Sequence, residues 1–326
     1  MVPFPNEKSN KSFTIQSARF RAGIIRKIRD FFQTRGALEV ETPILSHAAS
    51  TDCHIDVFKT RFEPFPGSPL KEDVFLQTSP EFHMKRLLAE GFPDIFQICK
   101  VFRNGEVGRI HNPEFTLLEW YRRDYDMYKM IEETAELCTC VLGNYRNQKK
   151  TYRDLFIEHT GIDPLKTNCA EISLFCKSKG KTHPVFDTLT DALQFTMSEI
   201  IEPLLPKDTL CFVYNFPADQ AVLALLDKDD SSVARRFELY INGMEIANGF
   251  EELTDPEENL RRLREQNLKR KAMGKPVIPE DNSFIESLKA GLPLCSGTAL
   301  GVDRLIAIAS ESESIDATIS FRWEIS

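Results

Sequence analysis

The stretch 235–252, RRFELYINGMEIANGFEE, limits what this chain can become more than any other part of it. Asn242-Gly243 suits the two-residue type I′ turn, whose central positions both need positive φ, and it stands between two strand-like runs. A regular hairpin about that turn pairs Ile241 with Met244, Tyr240 with Glu245 and Glu238 with Ala247. Glu238 and Glu245 then share one face as diagonal neighbours. Two such carboxylates repel unless a positive charge lies between them, and Mg²⁺ carrying a nucleotide's phosphates is the usual partner. A solvated pair on a sheet edge is the plainer alternative.

Helical and strand periods alternate along the rest of the chain. Ile24, Ile25, Ile28, Phe31 and Phe32 fall at helical spacing within 18–35, and Gly36 is placed to end that helix before a strand. Ser79-Pro80, a cap followed by a first-turn proline, opens a helix over 80–90 that Gly91 stops. Segments 94–102 and 115–122 read as strands joined by the polar loop NGEVGRIHNP, and PFPGSP at 64–69 reads as a loop between two strands. Helices are expected at 126–142, 151–159, 189–202 and 256–272, the last opened by the capping-box pattern Thr254-x-x-Glu257. The fold class is α+β, a mainly antiparallel sheet flanked by helices.

Composition excludes several classes. No apolar run approaches the roughly 18 residues of a membrane span, and none near the N-terminus has signal-peptide character. A cytoplasmic protein is therefore expected. Eight scattered cysteines with no CxxC pair suggest reduced, mostly buried thiols rather than zinc ligands or disulfides. A net charge of −8 argues against a protein that holds mainly to nucleic-acid backbones.

Other residues could carry chemistry. Alternation within 115–122 puts Phe115, Leu117, Glu119 and Tyr121 on one face, so Glu119 lies among apolar neighbours. A carboxylate so placed has a buried partner or receives a cationic ligand. Arg103, closing FQICKVFR, and Arg304, after GTALGVD, supply guanidinium groups suited to phosphate. Gly297 and Gly301 let backbone approach a nucleotide closely. The basic run RRLREQNLKRKAMGK over 261–275 is either a solvated helix face or a contact for a macromolecular acceptor.

Taken together, these segments resemble the class II aminoacyl-tRNA synthetases. RGALEVETPIL with Pro43 resembles their motif 1, FRNGEVGRIHNPEFTLLEWY motif 2 and GTALGVDRL motif 3, in the right order; SPEFHMKRL and EIANGFEEL resemble the lysine-specific branch. The resemblance implies one class II catalytic domain over 1–326. It implies that Arg103 and Arg304 act in catalysis on the α- and γ-phosphates of ATP, and that Asn104, Gly105, His111, Asn112, Phe115, Glu245, Ile246 and Gly301 help bind the nucleotide. Glu238 and Glu245 would hold Mg²⁺. Ser79, Pro80, Glu81, Glu119, Tyr121, Asn248, Phe250, Glu252 and Ala299 would form the pocket for an amino acid with two amino groups.

About 17 residues precede the motif 1 helix, so no anticodon-binding OB-fold domain is expected. In this the chain resembles the truncated synthetase paralogues that activate (R)-β-lysine with ATP and transfer it to a lysine ε-amino group on elongation factor P. Ala299, where tRNA-charging enzymes usually have glycine, points the same way. A homodimer through motif 1 is implied as well, and tRNA as acceptor is disfavoured. Charging of tRNA or a tRNA-like molecule stays open as an alternative, and so does a silent regulatory paralogue. Two departures stand: Gly105 occupies the place of the motif 2 acid, which comes one residue later at Glu106, and strict alternation puts Asn248, Phe250 and Glu252 on the face opposite Glu245. A bulge near Gly249 would remove the second conflict.

Overall fold

A computed structural model describes residues 13–182 and 185–326. The chain divides into two compact units, the first made of residues up to Asp124, Cys140–Leu142 and Thr254–Ser326, the second of Tyr125–Thr139 and Gly143–Leu253.

The first unit opens with α1 (Ile15–Gln33), β1 (Leu38–Glu39), β2 (Leu45–Ser46), β3 (Lys59–Phe62), β4 (Glu72–Leu76), α2 (Glu81–Ala89), β5 (Ile95–Phe102) and β6 (Glu114–Arg123). The second holds most of α3 (Met127–Leu142), then β7 (Arg146–Thr151), α4 (Tyr152–Thr160), α5 (Cys169–Ser178), α6 (Leu189–Thr196), β8 (Thr209–Pro217), β9 (Val233–Ile241) and β10 (Met244–Glu251). The chain then completes the first with α7 (Pro256–Ala272), α8 (Asn282–Gly291), β11 (Cys295–Gly301) and α9 (Val302–Ala309).

In the first unit β5, β6 and β11 pair antiparallel and β1 joins β5 in parallel; β2, β4 and β3 form a separate antiparallel sheet. The 64–69 loop indeed joins β3 to β4. In the second unit β8, β9 and β10 are antiparallel with β7 parallel to β8. The α+β, mainly antiparallel expectation holds.

The helix expected over 18–35 is α1, whose side chains Ile24, Ile28, Phe31 and Phe32 are buried, each contributing about 1.5–3 kcal/mol. Thr14 caps its start, and Gly36 takes φ +74° beyond its end. Phe32 stacks on Phe96 at 4.8 Å and tilts against Trp120 at 5.3 Å. Phe96 and Trp120 are cross-strand partners, so α1 seals one face of the β5–β6 ladder and leaves the face of Gln97, Glu119 and Tyr121 for other uses. In the second unit Tyr152, Phe156, Ile172, Leu193 and Ile201 pack with Cys211, Val213 and Tyr240, setting α4–α6 against β8 and β9.

Three local expectations need correction. Pro80 sits at the cap position of α2 rather than in its first turn, with Ser79 Oγ accepting from the Glu81 amide at 3.2 Å. The start of α7 is capped by Asp255, whose Oδ1 accepts from Glu257 and Glu258, because the aspartate lies nearer those amides than Thr254. The helix expected over 189–202 leaves α geometry at Met197 for a π turn. Among the described residues, no helix is long and apolar enough to cross a membrane, and all eight cysteines are free, five of them buried.

Candidate active site

On one face of the β5, β6 and β11 ladder, the first unit sets polar side chains among apolar ones. Gln97, Glu119 and Ala299 are register partners on β5, β6 and β11, and Tyr121 pairs with Ile95 and Gly297. Partners across an antiparallel ladder share a face. The Glu119 carboxylate is 2% exposed and accepts from the Tyr121 hydroxyl at 2.8 Å, two residues along the same strand. The methyl of Ala299 lies beside it, because that residue is its direct partner. Burial, followed by the charge of Glu119, pushes the nearby Cys99 thiol up to about 12, so it stays protonated at neutral pH.

Glu81 opens α2, and its carboxylate accepts from the ammonium of Lys85 at 2.6 Å. Lys85 is only 1% exposed, so a partly buried ion pair one helical turn long stands where the resemblance implied a pocket acid. Ser79, Glu81 and Gln77 line a small cavity of about 20 Å³.

The loop between β5 and β6 gathers the groups expected to meet phosphate. Arg103 is anchored by its amide on Pro113 O at 2.9 Å, and its guanidinium lies 5.1 Å from the centre of the Phe115 ring. Glu106 comes to 3.7 Å of Arg103 Nη1, and Gly105 before it takes φ +83°, a conformation that glycine adopts without strain. Glu106 therefore supplies the acid beside this arginine, and Gly105 the turn that lets it reach back. The backbone of Asn104 is engaged by Asp56 O at 2.8 Å. Arg304, in the first turn of α9, donates to His111 Nε2 at 2.7 Å and to Ile110 O at 3.3 Å. Its neighbour Asp303, 2% exposed, accepts from the Thr116 amide at 2.7 Å and from Arg21, which fixes the start of α9 to β6 and α1. Gly301 pairs with Leu117, and a side chain there would lie 3.7 Å from Arg304 Cδ.

The second unit carries an acidic face on the hairpin. Asn242 and Gly243 adopt φ +54° and +75°, as the I′ turn requires, and Ile241–Met244 and Tyr240–Glu245 pair as expected. The register then shifts between Glu245 and Ala247, so Asn248, not Ala247, lies opposite Glu238. The bulge that the sequence demanded is present, three residues earlier than expected: Ile246 is the extra residue, its side chain 2% exposed. With Ile246 out of register, Glu245, Asn248 and Phe250 face the same way as their partners Tyr240, Glu238 and Arg236. Glu252, 3% exposed, continues this face in a bridge to Ala224.

Glu238 is buried and accepts from Arg236, from the Tyr240 hydroxyl and, at 3.5 Å, from Asn248 Nδ2. Burial raises its carboxyl above the ordinary range, Arg236 opposes this, and the charge of Glu245 adds to it. Tyr240 is held well above a normal phenol by burial and by Glu238. Among the described residues, no three His, Cys, Asp or Glu side chains converge on a metal position. Two carboxylates on one face suit a hard cation that brings its remaining oxygen ligands with it, as Mg²⁺ on phosphates does.

Sequence reasoning missed Arg236 and Tyr240, two of the three groups that hold Glu238, and Lys85, the partner of Glu81. Each left a signal, i and i+2 in a strand or i and i+4 in a helix. Asp303 left none, because its partners Thr116 and Arg21 are 187 and 282 residues away. The basic run of α7 is largely engaged internally. Arg261 and Arg262 pair with Glu258, Arg264 with Glu280, and Arg270, 1% exposed, donates to the carbonyls of Asp52, Ile55 and Pro276.

The family model of class II tRNA synthetases (D, K and N) matches residues 7–323. Proteins named elongation factor P–(R)-β-lysine ligase are similar over nearly their whole length. That of Pasteurella multocida is 44% identical, over 98% of this chain and 99% of its own; that of Klebsiella pneumoniae is 48% identical, over 92% and 93%. The Salmonella typhi protein is 47% identical over 95% and 96%.

Proposed function

The chain belongs to the class II tRNA synthetase family, and from that premise we propose that it is an ATP-dependent ligase that activates (R)-β-lysine, or lysine, as an adenylate and transfers the acyl group to a lysine ε-amino group on elongation factor P. The observation that carries the reading is the Glu119 carboxylate, 2% exposed, capped by Tyr121 and flanked by Ala299. A buried carboxylate of this kind suits one amino group of a diamine substrate, since it replaces the water both ions lose. The names and the coverage of the relatives support the same acceptor. The family model spans both units, which supports reading 1–326 as one catalytic domain.

In this reading the substrate carboxylate attacks the α-phosphorus of ATP, an oxygen–phosphorus bond forms, and pyrophosphate leaves with the bonding pair. The ε-amine of the acceptor then attacks the acyl carbon, AMP departs, and the amine loses a proton. No protein nucleophile takes part. Arg103, with Glu106 orienting it, and Arg304 offset charge on the phosphate oxygens, and Phe115 offers a ring face to adenine. Glu238 and Glu245 would hold the Mg²⁺ that ATP carries, and the ion would supply charge neutralisation at the phosphates. Asn248, Phe250 and Glu252 extend the acidic face, and Ser79, Pro80 and Glu81 shape the end of the pocket with Lys85. A cytoplasmic homodimer and a protein rather than tRNA acceptor complete the reading.

Pyrophosphate exchange into ATP, measured with α-lysine and with (R)-β-lysine, tests activation, and label transferred from enzyme to elongation factor P tests the acceptor. Activity is expected with a lysine isomer and transfer to the protein. Label passing to tRNA alone would overturn the acceptor.

A further inference from the structure

The loop between β5 and β6 is held from two sides. On one side Arg304 reaches Ile110 O and His111. On the other stands the segment 313–323, which no part of the proposed chemistry uses. Its Ile315 amide donates to Arg109 O at 3.1 Å, and the Arg109 guanidinium returns a bond to Glu313 O. Its Trp323 amide donates to Asn112 Oδ1 at 2.9 Å, while Asn112 Nδ2 donates to Glu114 O at 2.6 Å. Both ends of Asn112's amide are thus engaged within the protein.

The segment is itself fixed. Ile315, Thr318 and Ile319 are buried, and Thr318 O accepts from Arg21 Nη1 at 3.1 Å, the same guanidinium that binds Asp303 and Thr116. Arg322 closes it on Asp316 at 3.2 Å. Around its pinned Arg109 the loop makes a tight turn, in which Gly108 and His111 exchange backbone bonds at 3.1 and 3.2 Å. The position of His111, and through it that of the Arg304 guanidinium, is therefore set by bonds to Arg109 on one flank and Asn112 on the other.

We infer that segment 313–323 is a brace for the 104–113 loop, and that Arg109 and Asn112 are positioning residues that act through His111 and Arg304 rather than groups that touch ATP. This rests on reading the loop as the cover of the nucleotide. The brace fixes the loop before ATP arrives, so the nucleotide need not order it, and its effect lies in the KM for ATP rather than in the chemical step.

Trp323→Pro removes one bond of the brace with little else. Trp323 opens a 3₁₀ turn, and Arg322 before it has φ −82° and ψ 164°, the extended backbone a following proline prefers. Trp323→Ala keeps the amide and removes the ring. In pyrophosphate exchange, W323P is expected to raise the KM for ATP roughly 3- to 10-fold, as loss of one hydrogen bond would, with kcat and the KM for the amino acid within about twofold. Amide hydrogen exchange over 106–112 in the nucleotide-free protein is expected to speed up in W323P and not in W323A. An unchanged KM for ATP in W323P, or an equal rise in W323A, overturns the inference. A wild-type protein with no exchange activity would sink the functional reading instead, and loop protection that is the same in W323P and W323A would then overturn the brace by itself.

Discussion

Two buried acids, Asp303 of the first unit and Glu238 of the second, are held in opposite ways. In the first, Asp303 is held by Thr116 and Arg21, partners far away in sequence, and its charge is used to fix one element on another. In the second, Glu238 is held by Arg236 and Tyr240 on its own strand and by Asn248 on the next, all within 13 residues of one hairpin. In the proposed reading one of these acids is a structural rivet and the other a chemical group, and the sequence distance to their partners differs accordingly.

Substitution at each acid tests that contrast. Asp303→Ala leaves Arg21 without its buried counter-charge and is expected to cost about 3–5 kcal/mol in urea unfolding. A loss under about 1 kcal/mol would remove Asp303 from the rivet class. Glu238→Gln is expected to behave the other way. The amide keeps the shape of the side chain but deprives buried Arg236 of its counter-charge, so a stability loss of about 1–3 kcal/mol is expected, while pyrophosphate exchange per folded molecule falls at least about a hundredfold. A variant that unfolds with activity per folded molecule intact would reverse the assignment.

Smaller effects probe the local character of the hairpin. Gly243 has φ +75°, and an added Cβ would meet Glu202 O at 2.7 Å. Gly243→Ala is expected to lower stability by about 1–3 kcal/mol, read by thermal unfolding. The weakest effect belongs to the surface of α7, where Arg261 first and then Arg262 hold the Glu258 carboxyl at about 2 against an ordinary 4.5. A depressed carboxyl contributes stability above pH 4.5 that is lost as pH falls toward 2. Arg261 is 56% exposed, so solvent reduces the contribution to under about 1 kcal/mol. Glu258→Gln should therefore destabilise slightly at pH 7 and not at all near pH 2, as unfolding curves at the two pH values would show.

What the sequence made legible follows the same division. The I′ turn, the shared face of Glu238 and Glu245, the alternation that sets Glu119 beside Tyr121 and the apolar stripe of α1 all arise from residues a few positions apart, where periodicity acts directly. Strand β8 is a nearly unbroken buried run without alternation, and helices α5 and α8 have only 10 residues each, so that even the helical spacing of Phe284, Ile285 and Leu288 in α8 spans little more than a turn. The pairing of Ala299 with Glu119 joins strands separated by 180 positions, which no local pattern specifies. The bulge was inferred from a conflict between alternation and family resemblance. Its place at Ile246 was not, since a register shift by one residue satisfies that conflict anywhere between Glu245 and Asn248.

That shift also bears on how such a chain can change over generations. Loss of the single codon for Ile246 would restore an unbroken ladder with the same partners, and Asn248, then two positions from Glu245, would stay on its face together with Phe250 and Glu252. The outcome would be a regular hairpin with its acidic face intact. At the bulge, then, the length of the strand can change by one residue without disturbing the face that carries its carboxylates, whereas the same loss inside a regular stretch would reverse everything beyond it.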